Sequence, residues 1–171
     1  MLKTKTSVLT LTAICTAFLA ICSQISIPIG QVPINLALLA VFICGGLLPF
    51  RYAVLSGVAY LLLGCVGIPV FAGFSAGIGI LLGPTGGYLL SYPIVAGITS
   101  LQCFKGSKWR TLTGMVLGLV VCYLLGTWYF QYSTNIQFVE SLFICVIPFI
   151  IPDCIKAVCA TFIVDKCLKH L

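Results

Sequence analysis

The chain has 171 residues, of which 61% are hydrophobic and only 7% charged. A soluble domain carries roughly 25% charged residues, so this composition excludes a surface built to face water. The +6 formal charge would suit a nucleic-acid binder, but the lysines and arginines fall between apolar stretches, where a membrane protein keeps its charges, and no basic patch forms.

In chain order, the first apolar run extends from Thr6 to Ile27 behind Lys3 and Lys5. It is longer than the roughly 7–15-residue core of a signal peptide and predicts a first helix near 7–27. The stretch Leu19-Ala20-Ile21-Cys22 resembles a lipoprotein cleavage site, but Ile21 stands where a small residue is required. No charge follows until Arg51, a distance about twice the roughly 20 residues of one span. Pro28, Gly30 and Pro33 punctuate that interval, so a second helix is predicted near 33–50. The uncharged stretch from Arg51 to Lys105 is broken by a glycine-rich segment between Gly64 and Gly79, giving helices near 52–67 and 80–103. A fifth is predicted near 111–130 and a sixth near 138–165, with Pro148 and Pro152 expected to kink the last one. The expectation is an all-α membrane protein, a single transmembrane domain over 1–171 with six spanning helices.

With that number of spans both termini share a side. Lys3, Lys5, Arg51, Lys105, Lys108, Arg110, Lys166 and Lys169 then fall on it, whereas the loops near 28–32, 68–79 and 131–137 contain no lysine or arginine. Cytoplasmic loops of membrane proteins are enriched in basic residues, so both termini are expected in the cytoplasm and the chain in the cytoplasmic membrane, among lipid. The 68–79 loop is largely apolar. Non-helical backbone at membrane depth survives only when buried in protein or lining a cavity, so this loop is expected to pack into the protein or form a lid, with a cavity open to the outside.

Asp153 and Lys156 are the most informative residues. Each charge in mid-membrane costs on the order of 2.5–3.5 kcal/mol, and i,i+3 spacing puts both on one helix face. They form either a structural ion pair between helices or a site for a polar ligand, in which Asp153 accepts hydrogen bonds and Lys156 donates them. Gly83-Pro84-Thr85-Gly86-Gly87-Tyr88 allows close backbone approach and adds the Thr85 and Tyr88 hydroxyls. Tyr123, Trp128, Tyr129 and Tyr132 form an interfacial aromatic belt, of which one or two members line the cavity. Ala13 and Ala17, beside Thr12, Thr16 and Ala20, give the first helix a smooth face, as Gly114, Gly118 and Gly126 do for the fifth. Such faces admit another helix, from this chain or from a partner.

The chain has ten cysteines, mostly inside apolar runs and without C-x-x-C spacing, so they are expected as free thiols and no metal site is implied. Gly77-Ile78-Gly79 is not followed by Gly-Lys-Ser/Thr, so the chain does not bind a nucleotide phosphate there. The single histidine, His170, lies at the C-terminal end before Leu171 and takes no role. Nothing here makes an enzyme, and no cofactor is expected.

Several runs resemble the BioY family, the biotin-capturing S components of energy-coupling factor (ECF) transporters. They are Gln24-Ile25-Ser26-Ile27-Pro28-Ile29-Gly30-Gln31-Val32-Pro33-Ile34, Gly64-Cys65-Val66-Gly67-Ile68-Pro69-Val70-Phe71-Ala72-Gly73, the 79–88 segment with Gly83-Pro84-Thr85-Gly86-Gly87-Tyr88, Tyr123-Leu124-Leu125-Gly126-Thr127 and Pro152-Asp153-Cys154-Ile155-Lys156. The resemblance covers nearly the whole chain. It implies an S-component bundle that captures biotin at the outer face for import, or failing that another small vitamin or heterocycle. It implies that Asp153 and Lys156 bind the ligand, with Phe71 and Tyr88 as apolar walls and Gly73, Thr85, Asn35 and Tyr123 around them. Asn35-Leu36-Ala37 stands where members of the family often read Thr-x-Gln, one amide fewer. The resemblance further implies a transmembrane coupling protein and an ATPase pair as partners, docked on a first-helix face that Ala13 and Ala17 match in part.

Overall fold

The computed structural model describes residues 4–27, 33–103 and 107–169. Lys3, Lys105, His170 and the first-loop residues 28–32, with Pro28, Gly30 and Gln31, lie outside the described residues. Among those described there are eight α-helices: α1 (Lys5–Gln24), α2 (Ala37–Leu47), α3 (Phe50–Cys65), α4 (Ile78–Leu82), α5 (Gly86–Cys103), α6 (Lys108–Thr134), α7 (Phe138–Cys145) and α8 (Ile147–Leu168). A short antiparallel hairpin, β1 (Ser26–Ile27) with β2 (Ile34–Asn35), sets Ser26 against Asn35. α1, α6 and α8 are each long and apolar enough to cross a membrane alone.

The first helix, expected near 7–27, ends at Gln24 because Ser26 and Ile27 pair as strand, and the structure departs from the expected helices in three further places, each with a local cause. The helix expected over 33–50 is only Ala37–Leu47, because Ile34 and Asn35 pair as strand and Leu48 is extended before Pro49. A residue preceding proline is driven out of the helical region. The helix expected over 80–103 is divided into α4 and α5 at Gly83-Pro84-Thr85. A Cβ on Gly86 would stand 1.8 Å from the Leu81 carbonyl oxygen, so only glycine permits that turn. The helix expected over 138–165 is divided at Val146, which places Pro148 in the first turn of α8 where its missing N–H costs nothing. Pro152 lies inside α8 without ending it.

α2 is the hub. It packs against α1, α3, α5 and α8, and residues on every side of it are buried, from Ala37 and Leu38 through Phe42 to Gly45 and Gly46. A helix that is apolar all round belongs in a core. Its last carbonyls are met from α5: Ser100 Oγ donates to Leu48 O at 2.7 Å and Cys103 Sγ to Gly46 O at 3.2 Å.

α5 and α6 form the most extensive helix pair. Their seam explains the glycine stripe of the fifth expected helix. A Cβ on Gly126 would meet the Tyr88 ring at 2.2 Å, one on Gly118 would meet Val95 at 2.9 Å, and one on Gly114 would meet Gln102 at 2.7 Å. Gly87 reciprocates from α5, accommodating Tyr129 at 2.3 Å. That stripe therefore serves packing within the chain. Replacing Gly118 by Val is expected to destabilise the bundle by about 1–3 kcal/mol, visible as a lower melting temperature in detergent.

Contacts also sort the ends of the bundle. Thr111 near the start of α6 touches Cys103 at the end of α5, which touches the end of α2. Asp165 of α8 bridges Lys108 (3.0 Å) and Lys169 (3.2 Å). The basic residues of α6 and α8 thus gather beside the start of α3, which carries Arg51, and the opposite end is left to the cavity.

Candidate substrate-binding site

At the end away from those charges the helices enclose a cavity of about 220 Å³. α8 supplies its polar centre. Beginning α8 at Ile147 places Asp153 nearly two turns in, and the helical spacing of Phe149, Asp153 and Lys156 brings all three to the cavity. Their neighbours Ile151, Cys154, Ile155 and Cys159 face outward instead. Asp153 is 4% exposed and Lys156 8%, so neither charge points to lipid.

The two charges meet at 2.7 Å, from Lys156 Nζ to Asp153 Oδ1. The other carboxylate oxygen, Oδ2, accepts a hydrogen bond from the Tyr123 hydroxyl at 2.8 Å. A buried charge is tolerated when paired and hydrogen-bonded, and this one is both. A carboxylate offers about four lone-pair sites and an ammonium three N–H donors. Each oxygen of Asp153 therefore retains acceptor capacity, and Lys156 retains donors, toward the open cavity.

The walls come from α2, α4, α5, α6, α7 and the 66–77 loop. Asn35 reaches the cavity from β2, although its side-chain oxygen also accepts the Ala37 N–H at 3.1 Å, starting α2. Tyr88 lines the cavity from α5 and shares a 3.2 Å hydrogen bond with Thr127 Oγ1. Thr85 lines it from the α4–α5 turn. Phe71 comes from the loop, packed edge-on to Tyr60 with ring centroids 5.5 Å apart.

Asp153, Lys156, Tyr88, Thr85, Phe71, Asn35 and Tyr123 thus share one cavity. Gly73 does not line it. It lies in the 3-10 turn Ala72–Phe74 with φ 68°, and its service is to the turn that presents Phe71 and Ala72. Ala13 and Ala17 are elsewhere, exposed on the outer face of α1, while Thr12 and Thr16 beside them are buried. Of the belt aromatics, Trp128 and Tyr132 are exposed, and Tyr129 donates to Leu81 O at 3.0 Å, which fixes α4.

Sequence reading missed Tyr92, Leu38, Cys122, Cys145 and Phe149, all in the wall. Two of them carried a signal. Tyr92 follows Tyr88 by one helical turn, and Phe149 precedes Asp153 by one. Cys122 and Cys145 carried none, since a thiol in an apolar run reads as packing.

The BioY family model matches residues 1–171. The chain belongs to the BioY family. A probable biotin transporter BioY of Pyrococcus horikoshii is 40% identical, over 95% of this chain and 96% of its own length. Biotin transporter BioY2 of Lactococcus lactis is 35% identical, over 94% and 90%. A crystal structure of the S-component for biotin from an ECF-type ABC transporter superimposes with a TM-score of 0.90 at 32% identity, covering 96% of this chain and 92% of the other. BioY members are transporter components and not enzymes, and this chain is one of them.

Proposed function

We propose that this chain is the S component that captures biotin at the outer face of the cell membrane for import. The observation that carries the reading is the buried Asp153–Lys156–Tyr123 cluster at the wall of the cavity, in a chain related throughout its length to biotin transporters. The ureido group of biotin has two N–H donors and one carbonyl acceptor. One free acceptor position on each oxygen of Asp153 matches the donors, and the remaining Lys156 N–H groups match the carbonyl. Phe71, Leu89 and Phe149 supply apolar walls for the thioether ring and aliphatic chain. The carboxylate tail then sits toward water, where its desolvation costs least.

The same reading assigns six crossings, as one transmembrane domain. α1, α2, α3 and α6 each make one, and the broken pairs α4–α5 and α7–α8 each make one more. The gathering of basic residues at one end supports cytoplasmic termini. Ala13 and Ala17 on the exposed face of α1 support docking of a coupling protein, which with an ATPase pair would drive import.

Equilibrium binding of tritiated biotin to the purified chain tests the assignment. Saturable binding at sub-micromolar biotin, undisturbed by excess thiamine or riboflavin, is expected. A wild-type protein that fails to bind sinks it, and displacement by another vitamin reassigns the cargo.

A further inference from the structure

The 66–77 loop is fastened to the bundle by side chains that do not line the cavity. Gln24 is the last residue of α1, and its amide grips the loop on both limbs. Nε2 donates to Pro69 O at 3.3 Å, and Oε1 accepts the Phe74 N–H at 2.8 Å. The neighbouring Ser23 hydroxyl donates to Val70 O. Between these anchor points lie Phe71 and Ala72, which with Ser75 form the loop's share of the cavity wall.

The gripped segment is held in an unfavourable shape. Phe74 has φ 56°, in the left-handed region. Gly67, Gly73 and Gly77 also have positive φ, but glycine adopts it freely. Asn135, with φ 57° at the end of α6, belongs to a type that tolerates it. A bulky residue such as phenylalanine does not, and outliers of this kind persist only where surrounding structure over-determines them. The Phe74 side chain is 72% exposed, so packing does not hold it there. Its own turn is closed by the Phe71 N–H to Ser75 O bond at 3.0 Å and by Ser75 Oγ donating to Ala72 O at 2.8 Å, and the hydrogen bond from the Phe74 N–H to Gln24 is what ties that turn to α1.

We propose that Gln24, assisted by Ser23, is a positioning residue that keeps this loop closed over the cargo against backbone strain at Phe74. The inference deepens the biotin-capture reading and rests on it for the identity of the cargo. The last turn of α1 thereby sets how long the ligand stays, without touching it. Breaking the grip lets Phe74 relax into an ordinary conformation, and the tip carrying Phe71 and Ala72 moves off the cavity.

The test is the dissociation rate of tritiated biotin chased with unlabelled biotin, on purified full-length chain. Gln24→Ala is expected to raise the rate about tenfold, the scale of two lost hydrogen bonds, with a smaller change in association. Ser23→Ala is expected to raise it roughly threefold. Gln24→Glu retains the acceptor for Phe74 and should stay nearer wild type. Phe74→Gly removes the strain, so Gln24→Ala/Phe74→Gly should recover much of the slow dissociation. A merely structural role for Gln24 would not produce that recovery. Unchanged dissociation in Gln24→Ala, or no recovery in the double variant, overturns the proposal. Hydrogen exchange of the Phe74 amide provides a readout without ligand: protected in wild type and fast in Gln24→Ala if the clamp exists, equal in both if it does not. Should the wild type bind no biotin, the cargo assignment falls while exchange still decides the clamp.

Discussion

Asp153→Asn is expected to lower biotin affinity at least about a hundredfold, a loss on the order of 3 kcal/mol. The substitution keeps shape and removes charge. One carboxylate oxygen becomes an NH2 donor, which faces either the Lys156 ammonium or the Tyr123 hydroxyl, both now donors to that carboxylate. Whichever way the amide turns, the cavity loses acceptors that ligand N–H groups require, and unmet donors in a dry site cost about 1–3 kcal/mol each. Lys156 is also left as a buried charge without its counter-ion, which destabilises the fold. Binding and folding must therefore be separated. Replacing both partners, Asp153→Leu with Lys156→Met, removes the isolated charge, and exchanges of a buried pair for apolar residues are often neutral in stability. That double variant should melt near wild type and bind no biotin by isothermal titration. If it binds normally, the pair is an internal tie and the site assignment is wrong.

Gly64→Ala is the second large effect, and it arises from a residue that touches no ligand. Gly64 is in the last turn of α3, and a Cβ there would stand 2.0 Å from Phe71 Cζ and 2.5 Å from both Cε atoms. Alanine favours a helix by up to roughly 1 kcal/mol over glycine, so α3 itself gains. The Phe71 ring must move instead, and the direction open to it is the cavity of about 220 Å³. Biotin affinity should drop at least about tenfold with helicity by circular dichroism unchanged. Phe71→Leu in the same chain should restore most of it by clearing the space. Failure of that rescue would show that the loss has another origin.

Much of this arrangement was legible in the residues, for physical reasons. Charges are so costly in hydrocarbon that Asp153 and Lys156 had to face inward, and both are buried. The apolar character of the 68–79 segment required a wall behind it, and Phe71, Ala72 and Ser75 stand in the cavity. The breaks within the fourth and sixth expected helices were harder to place. Pro148 marked one of them, but proline is accepted in a first turn, so the sequence allowed a kink or a fresh start. The other depends on Gly86 lying against the Leu81 carbonyl, a contact between residues whose individual preferences do not announce it. Gln24 was invisible for a related reason. Its importance comes from two loop backbone groups, Pro69 O and Phe74 N, and side chains alone do not report where backbone will pass.

The hub position of α2 bears on how the protein is made. The Ala37–Leu47 helix has 11 residues, or about 16 Å of helix against roughly 30 Å of hydrocarbon. Its final carbonyls find their donors on Ser100 and Cys103, which leave the ribosome some fifty residues later. Until then those carbonyls have no partner from α5 and must take their hydrogen bonds from water at the basic end of the bundle. A nascent chain that has emerged only as far as α3 is therefore an unfinished membrane protein in an energetic sense, not just a short one. Synthesis of α5 supplies those donors, so biogenesis of this transporter component is a closing of the bundle around its second helix, with the cavity that α8 completes among the last features to form.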